Sequence, residues 1–346
     1  MKIWIATGGT GGHVFPALSV ATELASRGHR ITISCDGRVK KMVADGRPNG
    51  ARMVHVWASG VGGHGRLSAM MALMKIGVSA MALTLRFAIA RPDRVVAFGG
   101  YASVPAIFAA RLWRVPTYLH EQNAAIGRAN KFALRWVRTL MTSFDTVAGV
   151  PAGVQTVYTG LPVRADFLAA AGAPLPGENR LLVTGGSLGA QVLDDVIPQA
   201  LCAMGNKKIF VTHQTRPENV ARLRKFYADH KIRANVLSFV HDMAGAVRGA
   251  DLVIGRAGAS TVVELQTVGR GAILVPLGIN PDQAANAAAF ARTGGGIAIE
   301  QARFTPRLAA ATLGELFDNP ARLVKMAQKA LRPNDAVTRI ADLVTK

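Results

Sequence analysis

The sequence predicts an α/β protein with two doubly wound domains, and three observations lead to that prediction. The chain has 346 residues, which is more than a single core of ordinary size serves. Short apolar runs alternate with longer segments of helical period along the chain. Each half also carries a glycine-rich loop directly after an apolar run. Because 50% of the residues are hydrophobic, we expect packed cores in both domains, and intrinsic disorder is excluded.

The first half begins with a strand, a helix and a second strand, predicted at residues 3–6, 14–27 and 31–34. Two further apolar runs, 94–98 and 116–120, continue this order with helical stretches between them. The alternation is typical of parallel strands joined by helices that cover both faces of the sheet.

The second half repeats the pattern, with apolar runs at residues 180–184, 208–212, 234–239, 251–255 and 272–276. Gly160 and Pro162 stand beside an apolar run and predict a linker between the two domains. Thr305 and Asp335 are expected to cap two late helices. The expected divisions of the chain are residues 1–160, 161–328 and 329–346.

The chain is strongly basic, with 41 lysine and arginine residues against 21 aspartate and glutamate residues and a net charge of +20. Residues 1–160 hold 19 basic and 6 acidic side chains, a net of +13. Such an excess is typical of proteins that bind nucleic acid, an anionic membrane or phosphorylated substrates, and also of ordinary proteins from a basic proteome. No basic run is interleaved with aromatic residues, which are only 6% of the chain, so nucleic acid is not an expected partner.

Two cysteines, Cys35 and Cys202, lack the spacing of metal ligands, so neither a disulfide framework nor a zinc site is expected. The start of the chain runs directly into an apolar strand and lacks the pattern of an export signal. Residues 67–90 form the most apolar long stretch, but Lys75 and Arg86 interrupt it. We therefore do not expect this stretch to span a membrane.

The two glycine-rich loops, residues 8–13 and 185–190, are expected between a strand and a helix, where backbone N–H groups and the helix dipole bind anions. A dinucleotide-binding site is an alternative for the first loop, with Asp36 as ribose ligand, although Val14 stands where the third glycine belongs. His13 is expected at the start of the helix, where positive potential favours a neutral imidazole that accepts a proton. The alternative is a capping or surface histidine.

A second candidate site is predicted where residues 256–264 follow a strand and begin a helix. Ser260 and Glu264 are four residues apart and share a helix face. This arrangement suits a nucleotide, because the dipole meets a phosphate and the carboxylate accepts two ribose hydroxyls. The alternative is a glycine turn before an exposed glutamate. Gln283 and Asn286 carry amides after the next strand, at the edge where open α/β sheets bind ligands, and could read sugar hydroxyls.

Eight motifs occur in order along essentially the whole chain: GGTGGHVFPALSVATELASRGH (8–29), FGGYASVPA (98–106), HEQNAAIGRANK (120–131), GLPVR (160–164), GGSLGA (185–190), FVHDM (239–243), RAGASTVVE (256–264) and QAANA (283–287). Together they closely resemble the MurG family, the UDP-N-acetylglucosamine:lipid I N-acetylglucosaminyltransferases that make lipid II in peptidoglycan synthesis. Leu161 and Leu188 depart from the family, which usually has asparagine at the first position and often glutamine or arginine at the second.

The resemblance implies a GT-B glycosyltransferase fold, with two Rossmann-like domains facing a cleft and a final helix that crosses back to the first domain. UDP-N-acetylglucosamine would bind mainly to the second domain, with Val240 at the uracil, Glu264 at the ribose and Gln283 at the sugar. The diphosphate would meet Ala259, Ser260, Thr261, Val262 and Val263, together with Ser187 and Arg164. On the donor-sugar and acceptor side, the cleft would be lined by Thr10, Gly11, Gly12 and Asn123.

The chemistry implied by the resemblance is attack of the 4-hydroxyl of the muramic acid residue of lipid I on the anomeric carbon, with inversion and release of UDP. His13 is the expected general base and Glu121 is a second candidate. No metal or cofactor is expected, since the sequence has no DxD-type motif and helix N-termini can meet the charge of UDP. The alternatives are another GT-B enzyme of UDP-sugars, such as a lipid glycosyltransferase or a UDP-GlcNAc 2-epimerase, and a nicotinamide-dependent oxidoreductase.

A helical stripe of apolar residues is predicted at positions 67, 71, 74, 78, 81 and 85, and it belongs either to a buried helix or to one that touches lipid. The resemblance implies lipid, with the protein docked peripherally on the cytoplasmic face of the cell membrane. The basic residues expected to ring the stripe near anionic lipid are Arg66, Lys75, Arg86, Arg91 and Arg94. The resemblance also implies proteins of cell-wall synthesis as partners.

Overall fold

The computed structural model describes residues 1–58, 65–186, 188–205 and 208–346, with no side-chain description for residues 65–67. The chain divides into two compact units. Unit 1 comprises Met1–Arg164 and Asn334–Lys346, and unit 2 comprises Ala165–Pro333.

The described part of unit 1 contains a seven-stranded parallel sheet in the order β3-β2-β1-β4-β5-β6-β7. Its strands are β1 (Lys2–Ala6), β2 (Arg30–Cys35), β3 (Arg52–His55), β4 (Arg94–Ala97), β5 (Thr117–Glu121), β6 (Thr139–Thr142) and β7 (Thr156–Tyr158). The central strands are buried on both faces, which explains their continuous apolar sequences. The predicted strand and helix alternation is confirmed.

Helices cover both faces of this sheet. Those in the main segment of unit 1 are α1 (Gly11–Ser26), α2 (Lys40–Gly46), α3 (Gly65–Ile89), α4 (Val104–Leu112) and α5 (Arg128–Ala133). Helix α1 packs into the apolar cluster around Ile5 and Ile33 on one face, while α3 and α4 join the cluster around Trp4 and Leu119 on the other. The helices therefore cover the two faces of the sheet, and loops occupy the edge at the carboxyl ends of the strands.

Unit 2 repeats the plan with a parallel sheet in the order β10-β9-β8-β11-β12-β13. Its strands are β8 (Arg180–Thr184), β9 (Phe210–Gln214), β10 (Ala234–Leu237), β11 (Leu252–Gly255), β12 (Ala272–Leu274) and β13 (Gly296–Ala298). In both sheets the first strand of the unit is the third in the sheet order, and the order reverses beside it. Loops at the carboxyl ends of strands on either side of such a reversal form the usual ligand site of this fold.

The helices of unit 2 are α6 (Ala165–Ala169), α7 (Gln191–Ala203), α8 (Pro217–Asp229), α9 (Met243–Arg248), α10 (Ala259–Val268), α11 (Pro281–Arg292), α12 (Pro306–Phe317) and α13 (Pro320–Ala330). The chain ends with α14 (Ala336–Thr345), which packs on α1 of unit 1 through Ile340 and Val344. Both doubly wound units agree with the predicted α/β fold class, which is confirmed.

The two predicted helix caps differ in the structure. Thr305 caps α12, because its hydroxyl accepts a hydrogen bond from the Leu308 N–H at 3.3 Å. Asp335 makes no capping bond. The side chain of Asn334 accepts from the Ala336 N–H instead, and Asp335 forms an ion pair with Arg339 at 2.8 Å. The predicted Asp335 cap is therefore wrong by one residue.

The structure bears on two predictions for helix α3, the absence of a segment able to span a membrane and the buried or lipid-contacting position of the apolar stripe. Its segment Ser68–Ile89 is long and apolar enough to cross a membrane by length and composition, despite Lys75 and Arg86. Only 22% of its most apolar window is buried. The buried side chains are Ala72, Ser79, Ala80, Leu83 and Phe87, whereas the predicted stripe from residue 71 to residue 85 points to solvent. That stripe is therefore not part of the core of unit 1.

Candidate active site

In unit 1, Thr10, Gly11, Gly12 and His13 lie where the chain passes from β1 into α1, and Glu121 and Asn123 lie at the end of β5. The loop after β4, the strand between β1 and β5 in the sheet, lies beside them. Imidazole atom Nδ1 of His13, in the first turn of α1, lies 2.8 Å from the carbonyl oxygen of Phe98, which follows β4. A carbonyl only accepts hydrogen bonds, so Nδ1 must carry the proton. In the neutral ring Nε2 is then an unprotonated acceptor, as a general base requires.

The electrostatic surroundings also favour a neutral His13. Burial lowers the pKa of the imidazole below its ordinary value of 6.5, and the positive charge of Arg38 acts in the same direction. The Phe98 carbonyl and the Asp36 carboxylate oppose this effect without reversing it. The ring is therefore ready to accept a proton at neutral pH.

Residues 8–13 form the glycine-rich loop that leads into α1. Thr10 occupies the N-cap position, but its exposed side chain makes no capping bond, and Gly11 and Gly12 begin the helix. Asp36 is buried and accepts a hydrogen bond from the Gly9 N–H at 3.0 Å. Asp36 therefore holds this loop in place, whereas the dinucleotide-binding alternative assigned its carboxylate to a ribose.

Glu121 ends β5 and is only 1% exposed. Its Oε1 accepts from the Asn123 N–H at 2.9 Å, and its Oε2 accepts from the Gly127 N–H at 2.9 Å and from Asn130 Nδ2 at 2.8 Å. The Asn123 side-chain amide also donates to Oε1 at 3.3 Å. Burial raises the pKa of Glu121 despite these four donors. The carboxylate organises the loop after β5 and brings Asn123 to the same edge as His13.

His120 lies beside this cluster. Its ring stacks on Phe98, with ring centroids 5.5 Å apart, and its Nε2 donates to the Gly160 carbonyl at 2.8 Å. Its Nδ1 is buried without a hydrogen-bond partner. Burial lowers the pKa of His120 to about 4, so the ring is neutral. His120 therefore packs against the residue that holds His13.

Two further sequence features lie at the end of the main segment of unit 1. Leu161, where the family usually has asparagine, is fully buried, and its carbonyl accepts from Asn334 at 3.0 Å. Arg164 is half-buried and is the last residue of this segment. Packing thus explains how an apolar residue is accommodated at position 161.

In unit 2, the second glycine-rich loop lies between β8 and α7, and Ser187 within it is outside the described residues. A Cβ on Gly185 would stand 2.3 Å from the Ala190 nitrogen, so only glycine permits this turn. Thr184 receives a hydrogen bond from the Gly186 N–H and donates to Gln214 at 2.6 Å. Leu188 is 81% exposed, so its side chain makes no packing contribution to the loop.

A hydrogen-bond network that the sequence pattern did not predict supports this loop from the end of β9. Gln214 donates to the Gly186 carbonyl at 3.1 Å, and Arg216 donates to the Leu188 carbonyl at 2.8 Å. Behind them Asp194 accepts hydrogen bonds from Thr215 at 2.6 Å and from Asn219 at 2.8 Å, and pairs with His213 at 3.1 Å. These partners hold the pKa of Asp194 below its ordinary value even though burial acts in the opposite direction. Residue spacing alone gives no signal for such a network.

Helix α10 begins where the sequence predicted a nucleotide site. Gly258 is the N-cap, and Ala259, Val262 and Val263 are buried. Their side chains are therefore not available to a ligand, and the Val262 N–H already donates to the Gly258 carbonyl at 3.0 Å, so the N–H groups left at the start of the helix are those of residues 259–261. Ser260, Thr261 and Glu264 are half-buried on the remaining surface of the helix, so the structure brings the predicted phosphate and ribose contacts together on one short segment.

The loop before α9 carries Val240, which is half-buried after β10. Asp242 fixes one end of this loop by accepting a capping bond from the Gly245 N–H at 2.7 Å. Phe239 is 60% exposed, and its ring packs edge-on against His241 with centroids 4.9 Å apart. Backbone groups of Val240 are thereby held in a defined segment, as contacts with a base require.

The two amides of α11 have different roles. The side-chain oxygen of Gln283 accepts from the Leu277 N–H at 2.9 Å, which leaves its NH₂ group as the end able to donate to a ligand. Asn286 is fully buried and donates to the Ala257 carbonyl at 3.0 Å. The hypothesis that both amides read sugar hydroxyls is wrong for Asn286, which fixes the turn before α10.

Among the described residues there is no group of three or more histidine, cysteine, aspartate or glutamate side chains placed to hold a metal ion. The candidate side chains are hydrogen-bond donors and acceptors on loops after strands and on the first two turns of the helices that follow those loops. They fit binding and transfer of a phosphorylated sugar donor.

Comparison with known sequences defines the class of enzyme. The model of the glycosyltransferase family 28 N-terminal domain matches residues 3–142, and that of the family 28 C-terminal domain matches residues 180–344. The structure resembles the glycosyltransferase of kitacinnamycin, with a TM-score of 0.74, 19% identity and coverage of 99% and 98% of the two chains, which reflects a shared fold. The protein is a family 28 glycosyltransferase with the GT-B fold.

Closer relatives define the family. A protein of Rhodospirillum rubrum is 43% identical over 100% of this chain and 92% of its own length, and one of Methylobacterium sp. is 40% identical over 99% and 96%. Both are named UDP-N-acetylglucosamine--N-acetylmuramyl-(pentapeptide) pyrophosphoryl-undecaprenol N-acetylglucosamine transferase. The crystal structure of Acinetobacter baumannii MurG has a TM-score of 0.82 at 31% identity and covers 100% of this chain and 99% of its own. The chain belongs to the MurG family.

The family and the enzyme class predicted from the motifs are therefore confirmed, and the protein is an N-acetylglucosaminyltransferase. The oxidoreductase alternative is excluded. The roles of individual site residues remain predictions, for which the geometry described above supplies arguments.

Proposed function

We propose that this enzyme transfers N-acetylglucosamine from UDP-N-acetylglucosamine to the 4-hydroxyl of the muramic acid residue of lipid I, with inversion at the anomeric carbon. The products are lipid II and UDP. The observation that carries the proposal is the hydrogen bond of His13 to the Phe98 carbonyl, which gives the ring the tautomer that a base needs.

The donor is proposed to bind to the loops of unit 2. Val240 offers backbone groups to uracil, Glu264 accepts the ribose hydroxyls, and Gln283 donates its NH₂ group to the sugar. The diphosphate lies at the start of α10, where backbone N–H groups and the helix dipole favour negative charge. Arg164 and Ser187 complete the predicted phosphate contacts.

The transfer step needs one base and a stabilised leaving group. His13 Nε2 takes the proton of the 4-hydroxyl as its oxygen forms a bond to the anomeric carbon, and the bond from that carbon to UDP breaks. The electron pair leaves with UDP, whose charge is met by N–H groups at the start of α10. Thr10, Gly11, Gly12 and Asn123 are proposed to contact the donor sugar and acceptor.

Glu121 is proposed to be a positioning residue. Both carboxylate oxygens already accept two hydrogen bonds each, and the side chain is 1% exposed. A base needs an accessible lone pair facing the substrate hydroxyl. The geometry therefore favours His13 for proton transfer and gives Glu121 the task of holding Asn123.

Substitution of His13 by alanine tests the base. We expect His13→Ala to lower kcat by about 10²- to 10⁴-fold, which is the usual contribution of general base catalysis, with little change in UDP affinity. The measurement is transfer from labelled UDP-N-acetylglucosamine to a lipid I analogue, with UDP binding followed by calorimetry. An unchanged kcat would rule out His13 as the base. Formation of UDP-N-acetylmannosamine without acceptor would instead indicate the 2-epimerase alternative.

We also propose that α3 docks on the cytoplasmic face of the membrane, where lipid I is anchored. Met71, Met74, Val78, Met81 and Leu85 are between 48% and 64% exposed and share one side of the helix. An apolar helix face of this length is typical of an interfacial anchor. Of the predicted basic ring, Lys75, Arg86 and Arg91 are exposed, Arg94 is half-buried, and the side chain of Arg66 is outside the described residues.

The double variant Met74→Gln/Met81→Gln tests this surface. We expect roughly tenfold weaker partition to vesicles, because the polar replacements remove the favourable transfer of two apolar side chains from water into the bilayer. Transfer of N-acetylglucosamine to a water-soluble lipid I analogue should be retained. The matched control is Leu168→Gln/Val324→Gln in unit 2, whose side chains are 39% and 45% exposed. Equal effects of both variants would contradict docking through α3.

A further inference from the structure

Asp36 carries a buried carboxylate directly after β2 that the proposed transfer step does not use. Its Oδ2 accepts a hydrogen bond from the Gly9 N–H at 3.0 Å and from Arg38 Nη2 at 2.6 Å, and its Oδ1 accepts from the Arg38 N–H at 3.0 Å. Burying a carboxylate is costly unless it is paired and hydrogen-bonded. These three donors, one of them a guanidinium group, offset that cost and hold the carboxylate in one place.

The guanidinium group of Arg38 is held beside the glycine-rich loop of residues 8–13. A Cβ built on Gly9 would stand 3.7 Å from Arg38 Nη2 and 3.9 Å from Cδ2 of His13. Both side chains therefore border the space that a side chain at position 9 would fill. The Arg38 side chain is 54% exposed, so its ion pair with Asp36, rather than burial, keeps its charge close to the imidazole ring.

Two charges of opposite sign act on the ring of His13. The cation of Arg38 disfavours the protonated ring and lowers its pKa, whereas the carboxylate of Asp36 favours the protonated ring and raises its pKa. The neighbouring ring of His120, on β5, is neutral because burial lowers its pKa to about 4. Glu121, at the end of the same strand, is enclosed by its own N–H donors. The proton affinity of the ring therefore responds to Arg38 and Asp36 in opposite directions.

We propose that Asp36 and Arg38 are a positioning pair for the base, an inference that rests on the proposed role of His13 in transfer. The carboxylate braces the glycine-rich loop through Gly9, and it holds the guanidinium group where its charge opposes protonation of the imidazole. The ring is thereby kept unprotonated before the acceptor binds, and its Nε2 stays free to take the proton of the acceptor hydroxyl. Neither side chain needs to touch the substrate for this role.

Opposite changes in the pH–rate profile test the pair, measured by transfer to a water-soluble lipid I analogue. In Arg38→Gln the ring loses the cation that disfavours its protonated form, so we expect the acid limb of kcat/KM to move to higher pH. The ratio of kcat/KM at pH 5.5 to that at pH 8 should fall by roughly two- to fivefold, because water screens a half-exposed charge. In Asp36→Asn the ring loses an anion, so the acid limb should move to lower pH and the ratio should rise.

Two further variants and a second measurement separate charge from structure. Arg38→Lys keeps the charge, so its pH profile should stay close to that of the unsubstituted enzyme. Lys40→Gln removes the same charge from an exposed position at the start of α2 and should leave the acid limb in place. NMR titration of the His13 ring in the free protein, with its signal assigned by its loss in His13→Ala, measures the same shifts without the reaction. Arg38→Gln changes an exposed side chain, so it gives a folded protein even where Asp36→Asn is unstable.

Three outcomes would overturn the positioning pair. Shifts in the same direction for Arg38→Gln and Asp36→Asn, or a shift in Arg38→Gln no larger than that in Lys40→Gln, would reduce the pair to a structural brace. Loss of activity in His13→Ala together with an unmoved imidazole titration in Arg38→Gln would leave the base in place and remove only the positioning role. Opposite shifts of the NMR titration that the acid limb does not follow would show that His13 is not the base, and both proposals would then fail together.

Discussion

His13 shows how one backbone carbonyl selects the tautomer of a side chain that we propose to be catalytic. The Phe98 carbonyl fixes the proton on Nδ1, and burial keeps the ring neutral by lowering its pKa. The Gly99 and Gly100 pair follows Phe98 with φ angles of 85° and 73°, which places this carbonyl beside α1 in a conformation that other residues rarely adopt. The reactive atom is thus prepared by the loop after β4, far from His13 in the sequence.

Glu121→Gln distinguishes positioning from proton transfer. The amide places an NH₂ group where a carboxylate oxygen now accepts hydrogen bonds, so we expect a loss of about 1–3 kcal/mol of stability from unpaired buried donors. We also expect a lower kcat and a higher KM for the acceptor. The acid limb of the pH–rate profile should still report the pKa of His13. Disappearance of that limb in Glu121→Gln would make Glu121 the base. Glu121→Asp, which keeps the charge, serves as the comparison.

At the scale of elements, the loops after β8 and β11 depend on supports from neighbouring strands. Gln214 and Arg216 hold carbonyls of residues 186 and 188 from the end of β9. Asn286 of α11 similarly holds the turn before α10. A phosphate site made of backbone N–H groups works only when the backbone is fixed before the ligand arrives.

Gly185→Ala tests this requirement. The new Cβ would stand 2.3 Å from the Ala190 nitrogen and 2.4 Å from the Gly189 carbonyl carbon, so the loop must move. We expect stability to fall by roughly 1–3 kcal/mol and UDP affinity, measured by calorimetry, to fall by at least about tenfold. Gly77→Ala is the control, since a Cβ there meets nothing within 4 Å. Unchanged UDP affinity in Gly185→Ala would separate this loop from the diphosphate.

At the scale of the whole molecule, the distribution of charge agrees with the proposed division of labour. Residues 1–160 carry a net charge of +13 and include the exposed face of α3. The sequence indicated an anionic partner for this part of the chain but not its location. The structure offers a defined surface for that partner.

Stability should fall as the pH decreases from about 6.5 to 4. His120 has an ordinary pKa of 6.5 when unfolded and about 4 when folded, so below pH 6.5 the unfolded chain binds the extra proton. His120 alone lowers the free energy of unfolding by on the order of 3 kcal/mol, and most of this loss has occurred by pH 4. His13 acts in the same direction, because its pKa is also lowered in the folded protein. Chemical denaturation at several pH values measures how steeply the free energy of unfolding changes with pH. His120→Gln should reduce it, whereas His55→Gln, at an exposed position, should not; equal slopes would contradict this origin.

The sequence was most informative where one local pattern has one structural solution. Alternating apolar runs predicted both parallel sheets, and the glycine-rich segments predicted loops before α1 and α7. It was least informative for side chains whose partners are distant in sequence. Arg270 is the clearest case: it is fully buried and donates to backbone carbonyls as far away as Ala173. Nothing in the residues around position 270 indicates that clamp.

The sequence by itself determined the fold class, the family and the positions of the loops that carry the candidate site, because these depend on periodicity and on short motifs. The tertiary structure decided which atom of His13 is available, that Glu121 and Asn286 are buried supports, and that the apolar stripe of α3 faces solvent. These features arise from contacts between residues that are far apart in the chain, and only the folded backbone brings such residues together.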